Sequence, residues 1–225
     1  MKILHISDTH GYHRQITIPP DVDMIIHTGD ASNQRDPYQN EWEMKDFLMW
    51  YEKLDIKYKI YIPGNHDTSI EKGLIKKIDF LSRFIHLLNN EWIDIEGIKI
   101  FGSPYTPTFG DWAFMKDRSK ISRIWEKIPE GMDIICVHGP CKGILDLSYN
   151  RQNQLEFCGD SALGKRIKVL QPKLFLSGHI HNFEDIVNTG VRKIQDCATT
   201  FSNAAAVTDR KFNLGITFAG NILEI

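Results

Sequence analysis

The chain has 225 residues, 42% of them hydrophobic and 25% charged, with a formal net charge of −2. Those proportions describe a globular chain that can bury a substantial core without staples. The near-neutral charge gives no overall electrostatic reason to expect a nucleic-acid or membrane partner.

The chain opens on Met1-Lys2-Ile3-Leu4-His5-Ile6-Ser7, which reads as a strand over Ile3–Ile6 and lacks the apolar stretch and cleavage site of a signal peptide. Met24–Ile26 is a second short apolar run. From Trp42 to Leu54, the spacing of Trp42, Phe47, Trp50 and Leu54 predicts a helix. Ile60–Ile62 is the next run, followed by helical spacing over Ile70–Phe80. Ile98–Phe101, a helix over Ser119–Ile128, Ile134–Val137 and Leu174–Leu176 continue the alternation. After Leu174 the pattern turns strand-rich, with Asp185–Asn188, Arg192–Ala198, Leu214–Phe218 and Asn221–Ile225. Continuous apolar runs suit strands covered on both faces, and their alternation with helices argues for an α/β protein of two sheets with helices outside. No repeat, low-complexity tract or linker interrupts residues 1–225, so one domain is the simplest reading. No stretch of about 18 apolar residues is present to span a bilayer, and the cytoplasm is the expected compartment. Cys136, Cys141, Cys158 and Cys197 form no CxxC pair, so neither a zinc ribbon nor a disulfide framework is expected. Lys76–Lys77 and Lys165–Arg166 with Lys168 read as solvated faces.

Where the polar residues fall suggests chemistry. Asp8-Thr9-His10 follows the first strand, Gly29-Asp30 the second run and Gly64-Asn65-His66-Asp67 the third. His138-Gly139 follows Ile134–Val137, and Gly178-His179-Ile180-His181 follows Leu174–Leu176. Open α/β sheets gather ligands at the carboxyl ends of their strands, so five distant turns can meet along one edge. Together they offer Asp8, His10, Asp30, Asn65, His138, His179 and His181, a set of nitrogen and oxygen donors without a thiolate. That is too many for one tetrahedral zinc and suits two cations about 3.5–4 Å apart that share a carboxylate. Mixed imidazole and carboxylate donors make manganese the first expectation, with iron, zinc, nickel or cobalt as alternatives. Two divalent cations against two aspartates and a hydroxide leave roughly one net positive charge for an anionic phosphate. His66 hangs beside the site as the candidate general acid, and Asp67 is expected to hold its tautomer.

These clusters, in this order, resemble the calcineurin-like metallophosphoesterase superfamily from Asp8 to His181. The resemblance implies a four-layer αββα sandwich of the metallo-dependent phosphatase type, its two mixed sheets flanked by helices. It also implies attack of a metal-bridging hydroxide on phosphorus. It assigns Asp8, His10 and His181 to one ion, Asn65, His138 and His179 to the other, Asp30 to the bridge and His66 to the acid. A narrower likeness is carried by Gly102-Ser103-Pro104-Tyr105-Thr106-Pro107, Trp112-Ala113-Phe114, Ile128 to Ile134 and Ile135 to Pro140. These resemble the small MPPED-type group, which hydrolyses cyclic nucleotides and related phosphodiesters. Some of that group replace one histidine of the GHxH cluster with glycine, whereas His179 is present here; Asp67 stands where the group has Glu.

The expected substrate is a small phosphate ester of the nucleotide kind. His13, Tyr105, Trp112 and Phe114, with Phe109, are the candidate contacts to it, the aromatic rings as a stacking wall. His5, His27 and His86 read as structural, His27 near enough to support a ligand, and Cys141 and Cys158 as buried filler. A nuclease would call for a basic groove. A phosphomonoesterase or phosphoprotein phosphatase would call for an arginine beside the metals, for which Arg14 and Arg35 are the early-loop candidates. A non-enzymatic binding scaffold would be expected to have lost the acid histidine or the ligands, and this chain keeps them all.

Overall fold

The short apolar runs become the strands of two sheets packed face to face. In this computed structural model, which describes residues 1–150, 152–209 and 215–225, the first sheet begins with β1 (Lys2–Ile6), β2 (Met24–His27), β3 (Tyr58–Tyr61) and β4 (Ile85–Leu87), all parallel. The chain then enters the second sheet through the hairpin of β5 (Glu91–Ile95) and β6 (Ile98–Ser103). After a two-residue ladder of β7 (Thr106–Pro107) with β8 (Met115–Lys116), it returns as β9 (Ile134–Val137). A projecting hairpin, β10 (Leu147–Tyr149) with β11 (Leu155–Phe157), comes before β12 (Leu174–Ser177), β13 (Gly190–Lys193) and β14 (Thr200–Asn203). The last strand, β15 (Asn221–Glu224), crosses back and lies antiparallel beside β1. Strand order is β15-β1-β2-β3-β4 in the first sheet and β13-β14-β12-β9-β6-β5 in the second.

Side chains alternate along a strand, so each sheet feeds two cores. Between the sheets, Ile3, Met24, Ile26 and Ile60 meet Ile100, Ile134, Cys136, Leu174 and Leu176. On the outer face of the first sheet, Leu4, Ile6, Ile25 and Tyr61 pack with Met44, Phe47, Leu48 and Tyr51 of α1 (Pro37–Glu52). The far face of the second sheet, with Ile135, Val137 and Phe175, takes Trp125 of α4 (Ser122–Trp125) and Leu163 and Ile167 of α5 (Ser161–Leu170). Two more short helices, α2 (Thr68–Glu71) and α3 (Lys77–Leu81), complete the layer over the first sheet. The architecture is the expected αββα sandwich. Among the described residues, no helix is long and apolar enough to cross a membrane.

Several boundaries differ from the sequence reading, each for a local reason. Helix α1 starts five residues before Trp42, because the Asp36 carboxylate accepts the amides of Tyr38 and Gln39 and Pro37 needs no partner at the first position. Its buried face is Met44-Phe47-Leu48-Tyr51, and Trp42 is 74% exposed. The helix expected over Ile70–Phe80 is broken at Gly73, where φ is +72°. The one expected over Ser119–Ile128 shortens to Ser122–Trp125. Asp185–Asn188 is not a strand: Glu184 and Asp185 form a turn closed by the Phe183–Ile186 bridge, and Val187 and Asn188 follow it without regular structure. The strand expected over Arg192–Ala198 ends at Lys193, turns at Asp196 with φ +58°, and restarts at Thr200. Of Leu214–Phe218, Leu214 lies outside the described residues and the remainder is not strand.

Candidate active site

Parallel strands point their carboxyl ends the same way, and here β1, β2 and β3 of one sheet and β9 and β12 of the other deliver five loops to one edge. The loops are tied backbone to backbone. Asp8 N donates to Gly29 O (2.8 Å), His10 N to Asp30 O (3.0 Å) and Gly178 N to His138 O (3.0 Å). Asp8, His10, Asp30 and His179 take left-handed φ values of 52°, 44°, 58° and 68°. Non-glycine residues rarely adopt this region, and it costs of order 1–3 kcal/mol each, so the rest of the fold must hold them there. Close approach also explains two glycines. A Cβ on Gly64 would overlap Asp30, and one on Gly178 would overlap Ser7 Oγ and Asp8 Oδ2. Gly178→Ala is therefore expected to displace Asp8 without altering any donor. Metal affinity should drop by about tenfold or more, the scale of losing a supporting contact, measured as metal retained after gel filtration of folded protein.

Three groups of donor atoms, each within 4.8 Å of one another, overlap along this edge: Asp8, His10 and His181; His10, Asp30 and His66; and Asp30, His138 and His179. Asn65 joins the last, its Oδ1 2.9 Å from His138 Nε2. All seven expected ligands are thus brought together, with Asp30 between the two ends. The donors are arranged as cation ligands are. His138 Nδ1–H donates to Thr28 O (2.7 Å), leaving Nε2 to face Asn65 and Asp30. Burial holds the His10 and His179 imidazoles near 3, neutral and with a lone pair to offer. Burial pulls His138 down as well, but the Asp30 charge and hydrogen bond override it and push it up to about 9. Burial likewise opposes His181, whose hydrogen bonds to Asp209 and Asp8 push it up to about 10. Burial would raise Asp8 and Asp30, yet their histidine neighbours hold both carboxyls below the usual range. Buried carboxylates that draw protons onto adjoining imidazoles are demanding positive charge, and this donor set fits divalent cations.

His66 stands at the rim, its ring stacked on Trp112 (4.2 Å between centroids, 28° between planes) and 4.7 Å from the His10 ring. Its backbone N–H donates to Asp30 Oδ1 (2.7 Å), and its Nδ1 lies 3.3 Å from Asn33 O. Asp67 does not do what was expected of it. Its carboxylate accepts from Tyr61 Oη (2.6 Å), Gly64 N (2.7 Å), Ser32 Oγ (2.8 Å) and Asp30 N (3.0 Å), so it fastens the two loops that carry Asp30 and Asn65 rather than the His66 ring. Burial and the neighbouring Asp30 charge raise it to about 6.

Of the expected substrate contacts, His13 is 1% exposed, bonded to Asp46 (3.1 Å) and packed on Phe47 and Trp50, away from the cleft. Phe114 is buried, and Tyr105 packs edge-on against it, because both fill the outer core of the first sheet. Trp112 braces His66, and Phe109, 51% exposed, lies 5.2 Å from the His179 ring in the cleft wall. Neither early-loop arginine reaches the ligands: Arg14 pairs with Asp46 (2.5 Å) and Arg35 with Asp111 (3.3 Å). His5 is a structural histidine between the sheets, bonded to Ser202 Oγ and Thr28 Oγ1. His27 accepts from Gly29 N within the second ligand loop.

Sequence reading missed Asp209, whose Oδ1 lies 2.7 Å from His181 Nδ1 and fixes that ring so that Nε2 faces Asp8. An aspartate 28 residues beyond its partner carries no local signal of this role. Replacing it by Ala is expected to weaken metal binding by about 10–100-fold, as loss of a ligand's orienting carboxylate does. A metal titration followed by calorimetry measures it, and unchanged affinity would dismiss the role.

Comparison with known proteins comes to the same place. The model of the family described as "Calcineurin-like phosphoesterase" matches residues 1–183. The human metallophosphoesterase domain-containing protein 1 is 32% identical over 228 residues, covering 90% of this chain, and the chain spans 65% of that relative's length. The DNA double-strand break repair protein Mre11 of Saccharolobus solfataricus is 35% identical over 179 residues, 69% of this chain and 45% of that one. The crystal structure of the phosphopantetheinyl hydrolase of Mycobacterium tuberculosis superposes with a TM-score of 0.58 at 11% identity, over 95% of this chain and 92% of that one, a likeness of fold.

Proposed function

The chain belongs to the calcineurin-like phosphoesterase family, and we propose that it hydrolyses small phosphodiesters at a two-cation centre, with cyclic nucleotides the first class to test and manganese the first metal. The observation that carries this is the pair of donor clusters with Asp30 between them and His66 at their rim. Asp8, His10 and His181 would hold one ion and Asn65, His138 and His179 the other, with Asp30 shared. Such ions supply Lewis-acid neutralisation of phosphoryl oxygens and acidify water from a pKa of about 15.7 toward about 7. The chain does the rest. Asp209 and the Thr28 carbonyl keep the His181 and His138 rings turned inward. Asp67 keeps the Asp30 and Asn65 loops in register. His66, with Nδ1 against the Asn33 carbonyl and its ring on Trp112, hands the proton on Nε2 to the departing oxygen.

The test is turnover of bis(p-nitrophenyl) phosphate, p-nitrophenyl phosphate, 2′,3′- and 3′,5′-cyclic nucleotides and short RNA by protein loaded with manganese. Diesters should lead. No turnover by protein shown to hold its metals would remove the reading, and preference for the monoester would replace it with a phosphatase. The likeness to the DNA double-strand break repair protein Mre11 keeps a nuclease as the second reading, and the RNA arm of the panel together with a matching DNA oligonucleotide decides it.

A further inference from the structure

With Asp67 turned away, the His66 ring has another orienting partner. Among the described residues no carboxylate is hydrogen-bonded to that ring, and its Nδ1 faces the backbone carbonyl of Asn33 at 3.3 Å. A carbonyl only accepts, so Nδ1 is the nitrogen that carries a proton there. The Asn33 carbonyl belongs to the same peptide group as the Gln34 N–H. That N–H donates to Glu43 Oε2 (2.8 Å), and the Asn33 N–H donates to the same oxygen (2.6 Å). A carboxylate is thus joined to the imidazole through one peptide unit, from Glu43 by way of Gln34 N–H and Asn33 C=O to His66 Nδ1. Bonds to a charged acceptor are the short, strong ones. Hydrogen bonds in series also polarise one another, which makes the Asn33 oxygen a better acceptor. Glu43 is half-buried on α1 and makes no ion pair among the described residues, where those two amides are its partners. Asn40, one turn earlier on the same face of the helix, ties the loop a second time. Its Nδ2 donates to Gln34 O and to His66 O, both at 2.7 Å, and its Oδ1 accepts from Ser69 N (3.1 Å). Arg35 of the same loop lies over the Trp112 ring (4.9 Å), on which His66 stacks. One packed helix therefore fixes a loop that meets the imidazole at its edge and braces its stacking partner.

We infer that Glu43 is a positioning residue for His66, acting through the Asn33–Gln34 peptide; this rests on the reading of His66 as the general acid. The proton on Nδ1 stays on the Asn33 oxygen, the proton on Nε2 goes to the departing oxygen, and the ring left behind is the Nδ1–H tautomer. Without Glu43 the carbonyl loses the group that aims it, and the ring can settle as either tautomer.

The test uses Glu43→Ala and Glu43→Gln, each alone and combined with His66→Asn. In zinc-loaded protein, chosen because that ion is d¹⁰ and diamagnetic, nitrogen NMR of the neutral His66 ring should show the Nδ1–H tautomer in the native chain. Glu43→Ala should show a mixture of tautomers. With manganese, Glu43→Ala should lower kcat roughly 10- to 100-fold on a diester with an alkoxide leaving group, the scale of a misplaced group, with KM little changed. Its loss on bis(p-nitrophenyl) phosphate should be far smaller, because p-nitrophenolate departs without a proton. Glu43→Gln keeps an oxygen for both amides and should recover most of both readouts. Added to His66→Asn, Glu43→Ala should cost nothing further, since the two act through one group. A Glu43 that only stabilised the loop would lower both substrates alike, shed metal, or cost as much without His66 as with it. Any of those results, or an undisturbed Nδ1–H tautomer in Glu43→Ala, would overturn the proposal. His66→Asn alone reports on the acid reading: if it costs rate and Glu43→Ala does not, Glu43 fails by itself. If His66→Asn costs nothing, the acid reading fails, and the tautomer spectra still decide whether Glu43 orients the ring.

Discussion

A His66→Asn variant is expected to lose about 10²- to 10⁴-fold in kcat/KM, the range for removing a positioned general acid, while still holding its metals. The ring is placed for proton transfer by the Trp112 stack and the Asn33 carbonyl, and the residue's backbone N–H is tied to Asp30 Oδ1. Asparagine keeps that backbone bond, so the Asp30 carboxylate stays where it is. The loss should depend on the leaving group. A p-nitrophenolate departs without a proton, so the variant should fall far less on bis(p-nitrophenyl) phosphate than on a diester with an alkyl leaving group. Because His66 also lies within reach of His10 and Asp30, loss of metal along with rate would recast it as a ligand, and an unchanged rate on the alkyl diester would take it out of the reaction.

The gathering of the donor clusters could be read from the sequence because each cluster immediately follows an apolar run, and a parallel strand fixes where its carboxyl end must lie. The runs at Ile134–Val137 and Leu174–Leu176 became β9 and β12 almost to the residue. Less accessible was everything that depends on contact between segments far apart. Asp67 sits next to His66 in the chain, which made it look like that ring's partner. Its carboxylate instead turns to the Tyr61, Gly64 and Asp30 donors, because burial leaves it no other way to satisfy its oxygens. His13 follows His10 by three residues but points away to Asp46. Tyr105 and Phe114 are aromatic residues near a site in sequence, yet the outer core needed their volume. Left-handed φ at Asp8, His10, Asp30 and His179 was also invisible, since glycine, the usual marker of that conformation, cannot stand where a donor is required.

Asp30→Asn is expected to have the largest effect on the centre. It keeps the side chain's size and an oxygen to accept the His66 amide, and removes only charge from a residue that, like His10, belongs to two of the donor groups. Metal affinity should fall by more than about 100-fold, beyond the range for losing an orienting group, and turnover should drop below detection. A proton makes the same point without metal. The Asp30 charge is the largest influence holding His138 up at about 9 against burial. In metal-free protein His138 therefore carries a proton at pH 7, and metal binding must displace it. For the native chain, affinity should accordingly strengthen as pH rises toward 9. In the variant, burial prevails and the His138 midpoint moves down, which an NMR titration of the imidazole in the metal-free protein can follow. An Asp30→Asn protein that kept two ions at native affinity would show that the cations lie elsewhere, and a His138 midpoint left in place would show that Asp30 does not set the charge of this edge.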